Sequence, residues 1–401
     1  MSANPAAGAL SEPHDEPRYG WVVVWATFVA LAVIFGVAYS FAAFFEPFVR
    51  DFQAQRADVS LVFGLCGLIY FVLGAFGGML SDRLGPRVVV GAGMVCITLG
   101  LLGAAAAGSM TTVTLAYGIG VGVGIALVYT PAIGTVQPWF TRRRGLAAGI
   151  ASAGIGAGTL VVPLLAAAAI AAWRWRGAMT ALALGTLLLG FAATLLIRRA
   201  PAAAKRSDGS VPGTSLKEAL RGRTFAWLYA MCALGAFSMF IPFAHLSAAA
   251  RDLGVPDARA VGLVGLIGIG SLSGRFVIGA LADRVGRPRT LVIAQASLGA
   301  SFVLWALADG YLALAAFALW MGTSYGGIVS LMPALCMDRF GARAVSSIIG
   351  TLYSGAAIGN LAGPWLAGRI FDANGNYAIV TWGCMALSAL ATLCTWQALR
   401  R

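Results

Sequence analysis

The chain has 401 residues, 59% of them hydrophobic and only 11% charged, with a formal charge of +13 and a mean hydropathy of +0.84. A soluble domain carries about 25% charged residues, so an ordinary soluble enzyme and a disordered chain are excluded and a polytopic membrane protein remains. The excess of 28 basic over 15 acidic residues fits either nucleic-acid binding or a basic bias of cytoplasmic loops, and the positions of the charges decide between them.

In chain order, the first 18 residues are polar with net negative charge. The apolar run after them is too long for a signal-peptide core and has no basic segment before it, so it is expected to remain as a membrane span. Twelve helices are predicted, at about 19–46, 57–80, 87–107, 111–139, 145–170, 177–197, 224–249, 259–282, 289–308, 311–337, 344–370 and 377–398. Each reaches the ~20 residues that cross the hydrocarbon, and no alternating ten-residue segments of the β-barrel kind occur. With the N-terminus placed in the cytoplasm, twenty basic and eight acidic residues fall on the inner face and seven of each on the outer face. Arg275 is left inside a span. The inner face is then net +12, the outer face 0 and the membrane interior +1. This bias predicts both termini in the cytoplasm, and it removes the nucleic-acid reading because the excess is spread over all the inner loops.

An internal repeat divides the chain. Gly78, Leu80, Asp82, Arg83 and Gly85 after span two recur as Gly279, Leu281, Asp283, Arg284 and Gly286 after span eight, 201 residues later. Two six-helix bundles related by duplication follow, 19–197 and 224–401, with 1–18 as a tail. The polar stretch 198–223, with Pro201, Gly209, Pro212 and Gly213, reads as a flexible cytoplasmic linker. Within the motif, Gly85 and Gly286 permit a tight turn into the next helix. Asp82 and Asp283 can accept from Arg or a helix N-terminus at the water boundary. One copy alone reads equally as a turn with solvated charges; two copies half a chain apart are far more specific.

On these residues the chain resembles the major facilitator superfamily of secondary transporters. The resemblance implies an all-α membrane fold of twelve transmembrane helices in two pseudo-symmetric bundles that rock about a midplane site. Asp82, Arg83, Asp283 and Arg284 would help to hold one side closed. Tyr19-Gly20-Trp21 at span one, and Trp139 to Gly149 with Arg142, Arg143 and Arg144 at span five, together with Arg275, look like the monocarboxylate transporter family and less closely the oxalate–formate exchangers. Arg142 and Arg143 then join the gating set, although a topogenic basic loop explains part of that segment. A multi-pass protein of the inner (plasma) membrane is implied. Mammalian members carry an acid one turn before this Arg, where this chain has Ser271, and a Lys late in span one, where it has Tyr39, Phe41 and Phe44. The exchangers add a Lys in span eleven, where Tyr353 to Asn360 holds no base.

Arg275 is the informative residue, because an intramembrane charge is costly and usually faces a cavity. It lies eight residues before Asp283, roughly 12 Å from the inner boundary. A guanidinium binds a carboxylate bidentately; the competing reading satisfies Arg275 with backbone carbonyls and water. One cation favours a monocarboxylate over a dicarboxylate. His245 follows Pro242, which can break span seven and widen a cavity. It is either a proton-coupling group or an interfacial histidine, and bacterial relatives resembling this chain place a histidine here. Tyr117 and Tyr325 offer hydroxyls from opposite halves or merely pack. Asn360 is either a substrate ligand or an interhelical hydrogen-bonding group. Ser271 completes the candidate set.

Glycines in spans five and eleven read as packing residues. No C-x-x-C pair occurs, so neither disulfide nor metal is inferred. No P-loop is present and no nucleophile or acid–base set converges, so an ATP-driven pump, a membrane-embedded enzyme and a bound cofactor are not expected. The expected partners are a small monocarboxylate anion of lactate or pyruvate size, a proton and the lipid bilayer. Arg275 alone gives anion exchange, because an empty site with an unpaired Arg resists closing; symport needs His245. Drug or metabolite efflux with a structural Arg275 is the alternative.

Overall fold

The computed structural model describes residues 18–140, 144–200, 213–341 and 345–400. Among these the only strand-like pairing is an isolated bridge between Gly213 and Gly341; the rest of the architecture is helical. A bilayer leaves a spanning segment few other choices, since every backbone group must be satisfied internally. The first half contains α1 (Arg18–Phe52), α2 (Arg56–Leu84), α3 (Pro86–Ala105) and α4 (Met110–Val136), with a π-helical stretch at Thr114–Val121. The continuous helical run Arg144–Gly185 breaks at Trp173 and Arg174, where Arg174 takes φ 57°. The break separates α5 (144–172) from α6 (175–196). The second half contains α7 (Arg223–Asp252), α8 (Asp257–Val285), α9 (Arg287–Ala306), α10 (Tyr311–Phe340), α11 (Val345–Asn374) and α12 (Ala378–Leu399).

Among the described residues ten helical stretches are long and apolar enough to cross a bilayer, and one of them, Ala147–Leu196, holds both α5 and α6. The remaining helix, α11, interleaves Gly, Ser and Asn with its apolar residues. Two sequence expectations need correction. Span one extends past residue 46 to Phe52, because the polar residues that seemed to end it find partners: Glu46 meets Arg56 at 3.4 Å and Asp51 accepts from Trp175 Nε1 at 2.7 Å. The linker is not irregular throughout, since Leu216–Arg221 forms a helix. Ser215 and Glu218 make a reciprocal capping box there, in which each side chain accepts the other residue's backbone N–H.

The halves repeat in their packing: α1 on α5 and α7 on α11, α2 on α4 and α8 on α10, α3 on α4 and α9 on α10. The repeat extends to single residues. Gly85 (φ 89°, ψ 148°) and Gly286 (φ 91°, ψ 139°) take the same conformation, and their N–H groups donate to the carbonyls of Ser81 and Ala282. That conformation is essentially reserved for glycine, which is why both copies of the motif carry one. Arg83 and Arg284 are exposed at these turns. The side chains of Asp82 and Asp283, with Arg142 and Arg143, lie outside the described residues.

The halves meet along α2–α11, α5–α8 and α1–α7. Small residues let the backbones touch, as packing in a lipid solvent requires; a Cβ on Gly268 would come within 2.9 Å of the Gly156 carbonyl oxygen. The α2–α11 seam runs from Gly67 and Asn360 to Ala57 and Gly368, and the α5–α8 seam from Ser152 and Arg275 to Leu164 and Gly262. Both seams lie toward the face away from the chain ends. Nearer the face that carries the chain ends, a Cβ on Gly149 or Gly279 would meet nothing. The halves are therefore closed on the far face and diverge toward the terminal face.

Candidate functional site

A cavity lies between the halves. Phe35, Tyr39, Tyr70 and Tyr129 line it from the first half; Met231, Gln295, Tyr325 and Tyr353 are among its residues from the second. Among the described residues no charged side chain is in its wall. The hydroxyls of Tyr39 and Tyr325 meet at 3.2 Å across the two halves, and Tyr39 stacks on Phe243 with centroids 4.1 Å apart. Aromatic rings with polar tips suit such a site, giving large apolar area and a few oriented hydrogen-bonding groups.

Arg275 projects from α8 beside this cavity. Nη1 donates to the Ser152 carbonyl of α5 at 2.9 Å. Its partner Ser152 lies one turn before Ile155 of the wall, and Ser271, one turn before Arg275, packs against Gly326 beside Tyr325. Nε and Nη2 are buried and have no partner. These two nitrogens form one edge of the planar guanidinium, the edge that matches the two oxygens of a carboxylate. Among the described residues no Asp or Glu pairs with Arg275. One nitrogen is thus satisfied by backbone, and the other two have no partner among the described residues.

The other candidates do not gather around it. Tyr325 lines the cavity. Tyr117 does not; it is buried in the π-helical stretch of α4 and donates to the Val37 carbonyl at 2.8 Å. Asn360 sits in the α2–α11 seam, where Nδ2 donates to the Gly64 carbonyl at 3.3 Å and Oδ1 has no partner. Ser271 is buried with its Oγ unpartnered, packed where Gly326 approaches its backbone. Pro242 does not break span seven: α7 is continuous through it.

His245 is fully buried, two turns before the end of α7 at Asp252, and it lies outside the cavity wall. Its Nε2 is 2.8 Å from the Pro364 carbonyl and its Nδ1 is 3.0 Å from the Tyr377 hydroxyl. A carbonyl only accepts, so Nε2 carries the hydrogen, and Nδ1 of the neutral ring accepts from Tyr377.

Tyr377 belongs to a network that sequence reasoning missed. Arg56 at the start of α2 donates to both carboxylate oxygens of Asp252 on α7, at 2.7 and 2.8 Å. It also donates to the Tyr377 hydroxyl at 2.8 Å and lies over the Phe371 ring at 3.8 Å. The Asp372 carboxylate accepts the backbone N–H groups of Arg56 and Ala57 at 3.2 and 3.1 Å, which satisfies otherwise free donors at the α2 N-terminus. Arg56 comes from one half, and Asp252, Phe371, Asp372 and Tyr377 from the other. The network locks the halves together on the closed face. In the sequence Arg56 and Asp252 are ordinary charges at helix ends. The available signal was that a second-half acid had to balance a first-half base on a face of zero net charge.

Comparison with known proteins fits this architecture. The sequence profile of the Major Facilitator Superfamily matches residues 26–364 and, again, 226–401. Monocarboxylate transporter 13 of Bos taurus is 31% identical over 389 residues, covering 96% of this chain and 91% of that protein. Monocarboxylate transporter 11 of Homo sapiens is 30% identical, covering 93% of this chain and 82% of its own length. A bacterial homolog of the human lysosomal transporter Spinster, in an inward-facing and unoccupied conformation, superposes with a TM-score of 0.74 at 17% identity, over 96% of this chain and 98% of that one.

Proposed function

This chain belongs to the Major Facilitator Superfamily of membrane transporters, and from that premise we propose that it is a secondary carrier of small organic monocarboxylates working by alternating access. The observation that carries the reading is the Arg275 edge: Nε and Nη2 are buried, without a partner among the described residues, and beside a cavity in whose described wall no charge stands. A carboxylate placed there makes two charge-assisted hydrogen bonds and neutralises the guanidinium, with the Tyr129 and Tyr325 hydroxyls at hand for a second oxygen or an α-substituent. With a single cation, the site favours one carboxylate over two.

The same charge sets the gating logic. Closing the terminal face over an empty site would desolvate an unpaired Arg275, which is costly; the Arg–carboxylate pair is neutral and closes readily. That logic alone yields exchange of one anion for another. Net symport requires a second charge, and His245 supplies it. In the closed state Nδ1 accepts from Tyr377 while Tyr377 accepts from Arg56. An imidazolium would donate from Nδ1 instead, setting two cationic donors on one hydroxyl oxygen and leaving the Tyr377 hydrogen without an acceptor. Opening the far face withdraws Arg56 with the first half, frees Tyr377 and admits water, so His245 loads its proton when the site faces that side. The loop-charge bias supports a cytoplasmic terminal face.

The test is uptake of labelled lactate into proteoliposomes. Arg275→Gln and Arg275→Lys are expected to abolish saturable uptake and its competition by simple monocarboxylates; normal affinity in either variant overturns the assignment. An efflux carrier with a structural Arg275 would show no competition by monocarboxylates in the unmodified protein.

A further inference from the structure

Gln295 belongs neither to the carboxylate site at Arg275 nor to the far-face network around Arg56. It lies on α9, a helix packed behind the cavity against α10 and α12. Its side chain is wholly buried, it lines the cavity, and neither Nε2 nor Oε1 has a partner. A buried amide left unpaired is expensive, and bilayer spans usually place such a group in an interhelical hydrogen bond. Here the space beside it is kept clear. Gly235 on α7 stands between α9 and the cavity, and a Cβ there would lie 3.2 Å from Gln295 Nε2 and 3.6 Å from Oε1. The absent side chain is a window through which an outer helix presents an amide to the cavity.

The surroundings narrow what that amide meets. The wall near it holds Met231, Cys232, Met332 and Tyr353, apolar or aromatic and without charge. Thioethers and rings accommodate flat or irregular apolar bodies. Among the described residues eight aromatic side chains line the cavity, from Phe35 and Tyr70 of the first half to Tyr325 and Tyr353 of the second, a lining that suits a ligand with a ring of its own. The amide offers one donor group and one acceptor, so its complement is a neutral group that does both, such as a hydroxyl or a carboxamide.

We propose that Gln295, reached through the Gly235 window, is a specificity residue that recognises a neutral hydrogen-bonding group at the far end of an aromatic or similarly bulky monocarboxylate. This rests on Arg275 holding the carboxylate. The apolar body lies among the cavity rings and methionines, and the distal hydroxyl or carboxamide exchanges donor and acceptor bonds with the amide. An analogue lacking that group leaves the amide unpaired, and a site built this way rejects such analogues strongly.

The experiment measures, for the full-length purified protein in proteoliposomes, how well 4-hydroxyphenylacetate, phenylacetate and lactate compete with labelled phenylacetate uptake. The unmodified protein is expected to favour 4-hydroxyphenylacetate over phenylacetate by about tenfold or more. In Gln295→Leu that ratio should fall to about one. Gly235→Val, which fills the window while Gln295 itself is kept, should lower the ratio in the same way, so the inference does not depend on one variant folding. A ratio near one in the unmodified protein, or a ratio preserved in both variants, overturns it. Arg275→Gln separates the two levels of the argument. If phenylacetate uptake depends on Arg275 but the hydroxyl makes no difference, only the role of Gln295 fails. If no carboxylate competes, the monocarboxylate reading fails and this inference with it.

Discussion

The cross-half lock at Arg56 offers a quantitative test of how the far face is held shut. Replacing Arg56 with Ala removes two hydrogen bonds to Asp252, one to Tyr377 and the contact over Phe371. Charge-assisted hydrogen bonds contribute about 1.5–3 kcal/mol each when dry. The Arg56 side chain is 12% exposed, but Asp252 is 37% exposed, so water reclaims a good part of that energy. A net loss of about 2–3 kcal/mol from the closed state follows, and at 1.4 kcal/mol per tenfold the closed-to-open ratio should fall by about 30- to 150-fold. The assay is a distance measurement by pulsed electron spin resonance, with spin labels at Gln53 and Leu253 on the far face. Arg56→Ala should add a longer-distance population absent from the unmodified protein. Asp252→Asn should do the same to a smaller extent, and the double variant should add little beyond Arg56→Ala, which already removes the pair. Unchanged distance distributions in Arg56→Ala would refute the lock.

Three further outcomes follow from the geometry. Gly85→Ala and Gly286→Ala, each at φ near 90°, should each cost about 1–2 kcal/mol and lower the thermal unfolding midpoint in detergent, whereas Gly149→Ala, facing open space on a helix, should be neutral or stabilising. Asn360→Leu breaks the bond to the Gly64 carbonyl and should lower the same midpoint by about 1–2 kcal/mol equivalent; Gly67→Ala, whose Cβ would overlap the Asn360 amide, should act likewise. His245→Gln should abolish the rise in lactate uptake that acidifying the far side produces in the unmodified protein, while lactate–lactate counterflow persists. Retained pH-gradient drive in that variant would remove His245 from the coupling scheme.

Much of the frame was legible in the sequence. The spans follow from hydropathy and the half repeat from Gly78 to Gly85 recurring at Gly279 to Gly286, and the structure carries that repeat down to matched dihedrals at Gly85 and Gly286. Arg275 stood out because a charge within a span is rare enough to be informative. The remaining site residues were chosen by type and depth, which do not say where a side chain points. Tyr117 and Asn360 share depth and polarity with the cavity residues, yet their hydroxyl and amide are spent on neighbouring backbones. Gln295 carried a readable signal, as a lone amide in a span, but its distance in sequence from the other polar groups hid its relation to the cavity.

What the sequence determined by itself is what the bilayer imposes on each segment separately. Every span must be long, apolar and helical because no water satisfies its backbone, and loop charge biases orientation segment by segment. Only the tertiary structure decided how each helix is rotated about its axis and which end of the bundle is shut. Arg56 and Asp252 are 196 residues apart, and Arg56 and Tyr377 are 321 apart. Pairings of that kind depend on how two halves dock through small-residue seams, a property of packing between distant segments that no local pattern records. The same docking turns the single charge within the membrane from a feature of composition into a fork of two free nitrogens beside a cavity.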